Sequence, residues 1–214
     1  MKLLIDDANI EKIKRIYEYY AVDGVTTNPS ILAAEKRNPY EVLKEIRTFI
    51  GEEAELHVQV ISTTADEMIK EGYRIVEELG KNTYVKIPTI PEGLKAIKIL
   101  SSEGYKVTAT AIYTPLQAFL AAKAGADYVA PYFNRMNNLN VDSKKVIADM
   151  VTLFKVHQKP TKILAASFKN TEQVMDALTV GAHAVTVAVK VLTAMVENVF
   201  IDFAVEGFKK GWIN

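Results

Sequence analysis

Eight times along the chain, a short run rich in Val, Ile and Ala gives way to a longer segment with a helical period. That alternation restricts the chain to the α/β class. The short runs read as strands at 3–6, 24–28, 55–61, 83–87, 107–112, 128–131, 162–167 and 184–187. The segment 11–20 is helical in period, and so is 65–79, where Met68, Ile69, Ile75 and Val76 recur among charges. Asp7 or Asn9 can open the first helix, Thr64 the third and Asn170 or Thr171 the seventh. Pro91 and Pro115 fall where a first-turn proline is tolerated, and Gly51, Gly80, Gly104 and Gly125 fall near helix ends.

Eight such units without a composition break predict one domain over 1–214, a closed parallel (β/α)8 TIM barrel. Strand count alone is also compatible with an open doubly wound sheet. No G-x-G-x-x-G follows the first strand, which speaks against the dinucleotide-binding version of that sheet. The eighth unit carries its own helix at 189–197. The further segment 199–210, apolar through Phe200, Phe203, Ala204 and Phe208, therefore predicts an additional C-terminal helix, for which a neighbouring subunit is one candidate surface.

Several classes of function are excluded or disfavoured. The chain has no cysteine, which rules out disulfides, thiolate nucleophiles and Cys-ligated metals. His57, His157 and His183 show no ligand spacing, so no metal site is expected. The 26 basic and 26 acidic residues cancel, which argues against nucleic acid or an anionic membrane as partner. No window approaches the roughly 20 apolar residues of a membrane span. Charge returns at Asp6, too early for a signal peptide, so a cytoplasmic protein is expected.

The informative feature is polar residues on apolar strands. Side chains alternate across a strand, and in a barrel one set points inward. In 55–61, Leu56, Val58 and Val60 form one set, and His57 and Gln59 form the other, so the polar pair faces inward. Lys86 opposes Val85 and Ile87 in the same way. Asp6 ends the first strand; Thr26 and Asn28 share a face of the second, and Thr108 and Thr110 one of the fifth. Tyr132 and Ser167 close the sixth and seventh. Nearly all lie at C-terminal strand ends, where such barrels build active sites. His57 lies deeper and reads as a barrel-floor residue. An inward lysine tends to lose its proton or find a partner, and a neutral amine is what a Schiff base requires. Arg135, Ser167 and Lys169, together with a helix starting near Asn170, suit a phosphate.

The motifs Val25-Thr26-Thr27-Asn28-Pro29-Ser30, Val85-Lys86-Ile87-Pro88 and Ala165-Ala166-Ser167-Phe168-Lys169 resemble signatures of the transaldolase family. The likeness runs from Leu4 to Trp212 and is nearest to the small single-domain branch that includes the fructose-6-phosphate aldolases. It implies a Schiff base on Lys86, with Asp6 handling the proton of the C4 hydroxyl. Thr26 and Asn28 would hold donor hydroxyls, and Arg135, Ser167 and Lys169 the phosphate. No metal or organic cofactor is implied. Transaldolases carry Glu and Phe where this chain has Gln59 and Tyr132, and the aldolases hold a water with Tyr132, Gln59 and Thr110. Ala130 and Ala166 are small, which leaves room near the lysine for dihydroxyacetone-type donors. Asp7 and Thr108 depart from the family pattern, and Thr108 is expected to alter the polarity of the donor pocket. The expected reaction is cleavage of fructose 6-phosphate to dihydroxyacetone and glyceraldehyde 3-phosphate, and the reverse. The alternatives are dihydroxyacetone transfer between sugar phosphates and a silent sugar-phosphate-binding barrel. The resemblance further implies a homo-oligomer, a pentamer or decamer, with the C-terminal helix on a neighbour.

Overall fold

The structure is a computed structural model and describes residues 1–213. Eight strands, β1 (Lys2–Asp6), β2 (Gly24–Thr26), β3 (Glu55–Gln59), β4 (Thr83–Pro88), β5 (Val107–Ile112), β6 (Tyr128–Pro131), β7 (Lys162–Ala165) and β8 (Ala184–Val187), pair in parallel in sequence order. β8 returns to β1 through Leu4↔Thr186, so the sheet is a closed barrel and the open alternative falls. Around it run α1 (Ile10–Tyr19), α2 (Pro29–Ala34), α3 (Pro39–Ile50), α4 (Ala65–Leu79), α5 (Pro91–Ser102), α6 (Pro115–Ala124), α7 (Phe133–Asn138), α8 (Ser143–Val156), α9 (Thr171–Thr179) and α10 (Val189–Thr193). The C-terminal helix α11 (Val199–Ile213) follows.

Local chemistry sets these boundaries. Thr114 and Gln117 close a reciprocal capping box around Pro115, and Gly125 ends α6 in the left-handed region at φ 104°. Asn9, not Asp7, caps α1, while Asp7 accepts from the amides of Ala8 and Asn9. Thr64 precedes α4, the fourth helix, because two helices follow β2; its hydroxyl donates to Glu67 and makes no cap bond. Asn170 caps α9. At Gly24 the strands approach so closely that a Cβ would lie 2.1 Å from the Glu55 carbonyl oxygen.

Three strands are shorter than the periodicity predicts. β2 stops at Thr26, because Asn28 turns to accept from the amides of Ser30 and Ile31 and so caps α2. β3 stops at Gln59, and the Glu71 carboxylate takes the amides of Ile61 and Ser62. β7 stops at Ala165; Ala166 makes an isolated bridge to Tyr132, and Ser167 adopts φ 65°. After β2 and β3 a side chain captures backbone amides just beyond the strand, whereas β7 gives way to left-handed backbone. The last helices also shift: α10 ends at Thr193 and α11 continues to Ile213.

The parity argument holds in three dimensions. Outward residues such as Ile5, Val25, Leu56, Val85, Val107, Val129, Ile163 and Val185 join one large core with the helices. Leu4, Tyr84, Tyr128, Leu164 and Ala184 form a separate cluster inside the barrel. Advancing one residue per strand through the register connects Leu4, His57, Thr108 and Leu164 and returns to Leu4. Alternate strands therefore supply four inward side chains per level. Above that level lie Thr26, Lys86, Ala130 and Thr186, and above them Asp6, Gln59, Thr110 and Ala166. Below it lie Tyr84 and Tyr128, and at the floor Lys2 and Glu55. Among the described residues no helix is long and apolar enough to cross a membrane. The large apolar side chains of α11 are exposed, Phe200 at 76% and Trp212 at 90%.

Candidate active site

Lys86 is only 7% exposed, and its Nζ donates to the carbonyl of Thr27 at 2.7 Å. Burial pushes its ammonium below the usual lysine range, and the nearby Asp6 carboxylate only partly offsets this. Asp6 moves the other way. Burial raises its carboxyl, against the opposing effects of Lys86 and of a 2.7 Å hydrogen bond from Thr26, while Asp7 adds a small upward push. The two groups are thus biased towards a neutral amine and a more basic carboxylate, the pair that nucleophilic attack and proton abstraction need. The close Thr26–Thr186 contact, Oγ1 to Oγ1 at 2.6 Å, sits at the Lys86 level.

Above this level the rim is built from strand ends and loops. β5 carries a bulge between Ala109 and Ile112, with Ala111 at φ 58°. The extra residue re-aims the strand end, and Thr110 Oγ1 lies 2.7 Å from the Tyr132 hydroxyl. Gln59 is the register partner of Lys86. Asn28 caps α2 through Oδ1, a structural duty that leaves its Nδ2 free for other contacts.

The phosphate candidates are assembled by two loops tied together. The amides of Phe133 and Asn134 donate to Ala166 and Ser167 at 2.8 and 2.9 Å. Gln173 clamps the same loops, donating to Asn134 and accepting from the Lys169 amide. Arg135 stacks on the Tyr132 ring at 4.6 Å and is exposed, as is Lys169. Neither cation is in an ion pair among the described residues.

Thr108 corrects its sequence reading. It is fully buried one level beneath Lys86 and bonded to His57, so its hydroxyl is not a free polar group of the donor pocket. Sequence reasoning missed Thr186, Gln173 and the Thr27 carbonyl. Parity along 184–187 flags Thr186 as inward; a backbone carbonyl leaves no trace in residue types. The surface cavity of about 880 Å3 bordered by Arg47, Glu53, Asn82 and Tyr105 lies at the opposite end of the barrel, away from these groups. Among the described residues no three His, Asp or Glu side chains cluster as metal ligands.

Comparison with known proteins places the chain in a family. The sequence profile described as "Transaldolase/Fructose-6-phosphate aldolase" matches residues 3–204. A "Probable fructose-6-phosphate aldolase" of Streptococcus pneumoniae (strain ATCC 700669 / Spain 23F-1) is 44% identical over 99% of this chain and 96% of its own. A "Probable transaldolase" of Clostridium acetobutylicum is 42% identical over 99% and 97%, and one of Thermoanaerobacter sp. (strain X514) 41% over the same shares. On the match across nearly the whole chain, the protein belongs to the transaldolase/fructose-6-phosphate aldolase family, whose members work on sugar phosphates.

Proposed function

We propose that the protein is a class I aldolase that cleaves and forms fructose 6-phosphate, with Lys86 as the Schiff-base residue. The observation that carries this reading is the buried Lys86 amine, shifted towards neutrality and one level beneath Asp6. The amine adds to the C2 carbonyl of the substrate and water leaves, giving an iminium. Asp6 takes the C4 hydroxyl proton as the C3–C4 bond breaks, and glyceraldehyde 3-phosphate departs. The electron pair left on C3 is held as an enamine. The proton held by Asp6 returns to C3 through a water held by Thr110, Tyr132 and Gln59, and a second water hydrolyses the iminium to dihydroxyacetone and the free amine. Thr26 and Asn28 hold donor hydroxyls, Ala130 and Ala166 leave space for the donor, and Arg135, Ser167 and Lys169 receive the phosphate. No metal or organic cofactor enters the scheme.

The hydroxyl pair Thr110–Tyr132 favours release of dihydroxyacetone over its transfer, because a phenol beside the enamine can pass a proton. The transfer reading is favoured instead by the clostridial relatives named probable transaldolases. The assay that separates them is glyceraldehyde 3-phosphate release from fructose 6-phosphate, with and without erythrose 4-phosphate, with Lys86→Ala as control. Release without acceptor, lost in the control, is expected. Turnover only with acceptor makes the enzyme a transaldolase; turnover unchanged in the control removes the Schiff-base reading. The exposed apolar side chains of α11 support packing on a second copy in a pentamer or decamer. Truncation before Val199 should then lower the sedimenting mass to that of a smaller species.

A further inference from the structure

The phosphate candidates stand on two stretches of chain, one following β6 and one following β7. Backbone hydrogen bonds join them from Phe133 to Ala166 and from Asn134 to Ser167. Ser167 holds left-handed backbone there at φ 65°, a conformation that a serine keeps only where its surroundings impose it. Arg135 and Lys169 come after these points. Beyond Asn134 and Ser167, no further backbone hydrogen bond joins the two stretches among the described residues. One side chain takes over. Gln173, the third residue of α9, donates from Nε2 to Asn134 Oδ1 at 3.0 Å and accepts the Lys169 amide on Oε1 at 2.8 Å.

The backbone sets the direction of this amide. A backbone N–H only donates, so the Gln173 atom facing Lys169 is Oε1, and Nε2 turns to Asn134. A second helix shows what capping alone requires. Gln117, the third residue of α6, accepts the amides of Tyr113 and Thr114 at 2.8 and 3.1 Å. Among the described residues it makes no second bond of the kind that Gln173 makes to Asn134, 39 positions away. A glutamate would serve the cap as well. Only an amide serves both ends, because a carboxylate has no N–H to give Asn134.

We propose that Gln173 is a positioning residue for the phosphate site: its amide locks the stretch carrying Arg135 to the stretch carrying Ser167 and Lys169, so that all three meet one phosphate together. The inference rests on that site receiving the substrate's phosphate. Arg135 and Lys169 carry the same charge, and like charges gathered around one anion repel until it binds. A fixed link between their two stretches holds them ready, which spares the ordering of a loop at the moment of binding. Gln173 needs no contact with the ligand to do this. It acts through Asn134 on one side and the Lys169 backbone on the other.

The test is synthesis from dihydroxyacetone, with glyceraldehyde 3-phosphate and unphosphorylated glyceraldehyde as alternative acceptors. Gln173→Met removes both bonds. Asn134→Ala removes only the link between the stretches and leaves the Lys169 amide capped. Each should raise KM for the phosphorylated acceptor about fivefold, the worth of one neutral hydrogen bond. The kcat and the rate with glyceraldehyde should stay close to the parent's, which also reports that each variant is folded. The double variant should be no worse than the worse single, since both lose the same link. Gln117→Met, which loses a cap of the same kind on α6, should leave that KM unchanged. An unmoved KM in Asn134→Ala, equal losses with both acceptors, or losses that multiply in the double variant overturn the proposal. Arg135→Ala keeps the two readings apart. If it too treats both acceptors alike, the phosphate binds elsewhere and both readings fall. If it discriminates between them and the Gln173 and Asn134 variants do not, only the role of Gln173 falls.

Discussion

The two ends of the barrel interior treat polar groups in opposite ways. At the floor, Glu55 receives Lys2, Tyr84, Tyr128 and His57, and His57 in turn receives Thr108, so the buried network closes on itself. At the rim, Arg135 and Lys169 have no carboxylate partner among the described residues, and Ala111 and Ser167 hold left-handed backbone at φ 58° and 65°. A satisfied network selects one packing of the core. A rim with spare donors and strained backbone is less stable by itself, and in the proposed phosphate site an anionic ligand would satisfy it. On the proposed function, the same eight strands serve stability at one end and chemistry at the other.

The sharpest way to break this contrast is at Lys86. Lys86→Met should remove more than about 10^3-fold of the turnover. It should also raise the unfolding midpoint, because a buried amine is replaced by an apolar chain of similar reach. A loss of stability instead would mean that the rim, too, is built for structure. Glu55→Ala probes the floor. It strands three buried donors, on His57, Tyr84 and Tyr128, and should lower stability by about 3 kcal/mol, read by denaturant unfolding.

The pH dependence of the floor follows from its shifted groups. Burial lowers His57 from 6.5 to about 4, so between those values the unfolded chain binds the proton first. Stability is full above pH 6.5 and falls by about 3 kcal/mol as the pH drops towards 4. Glu55 responds at lower pH. Burial pushes its carboxyl up, but hydrogen bonds from His57 and Lys2 outweigh that and hold it at about 2. The stability it contributes is present above about 4.5 and lost as pH falls through 2. Thermal melts from pH 7 to 4 should show the first decline, and His57→Phe should flatten it.

The rim offers smaller effects. Arg135→Ala should raise KM for glyceraldehyde 3-phosphate about tenfold and leave the reaction with unphosphorylated glyceraldehyde near its original rate. Equal losses with both acceptors would remove Arg135 from the phosphate site. Ala111→Gly should change stability by less than about 1 kcal/mol, relieving the left-handed strain at the expense of a more flexible unfolded chain.

By itself the sequence determined the class of fold and the inward set of side chains. Hydrophobic period follows from backbone geometry that each segment carries alone, so alternation in 55–61 was enough to turn His57 and Gln59 inward and parity enough to bury Lys86. It also marked Asp6, Lys86 and Tyr132 as polar groups converging on one rim. Closure of the sheet, the levels and the partners were decided by tertiary structure, because they depend on register between strands far apart in the chain. That is why strands 24–28, 55–61 and 162–167 each read too long. Asn28, Glu71 and a left-handed Ser167 end them through contacts that no hydrophobic pattern records. It is also why Thr108 read as part of the donor pocket: only the fold brings His57, 51 residues away, within 2.9 Å to claim its hydroxyl.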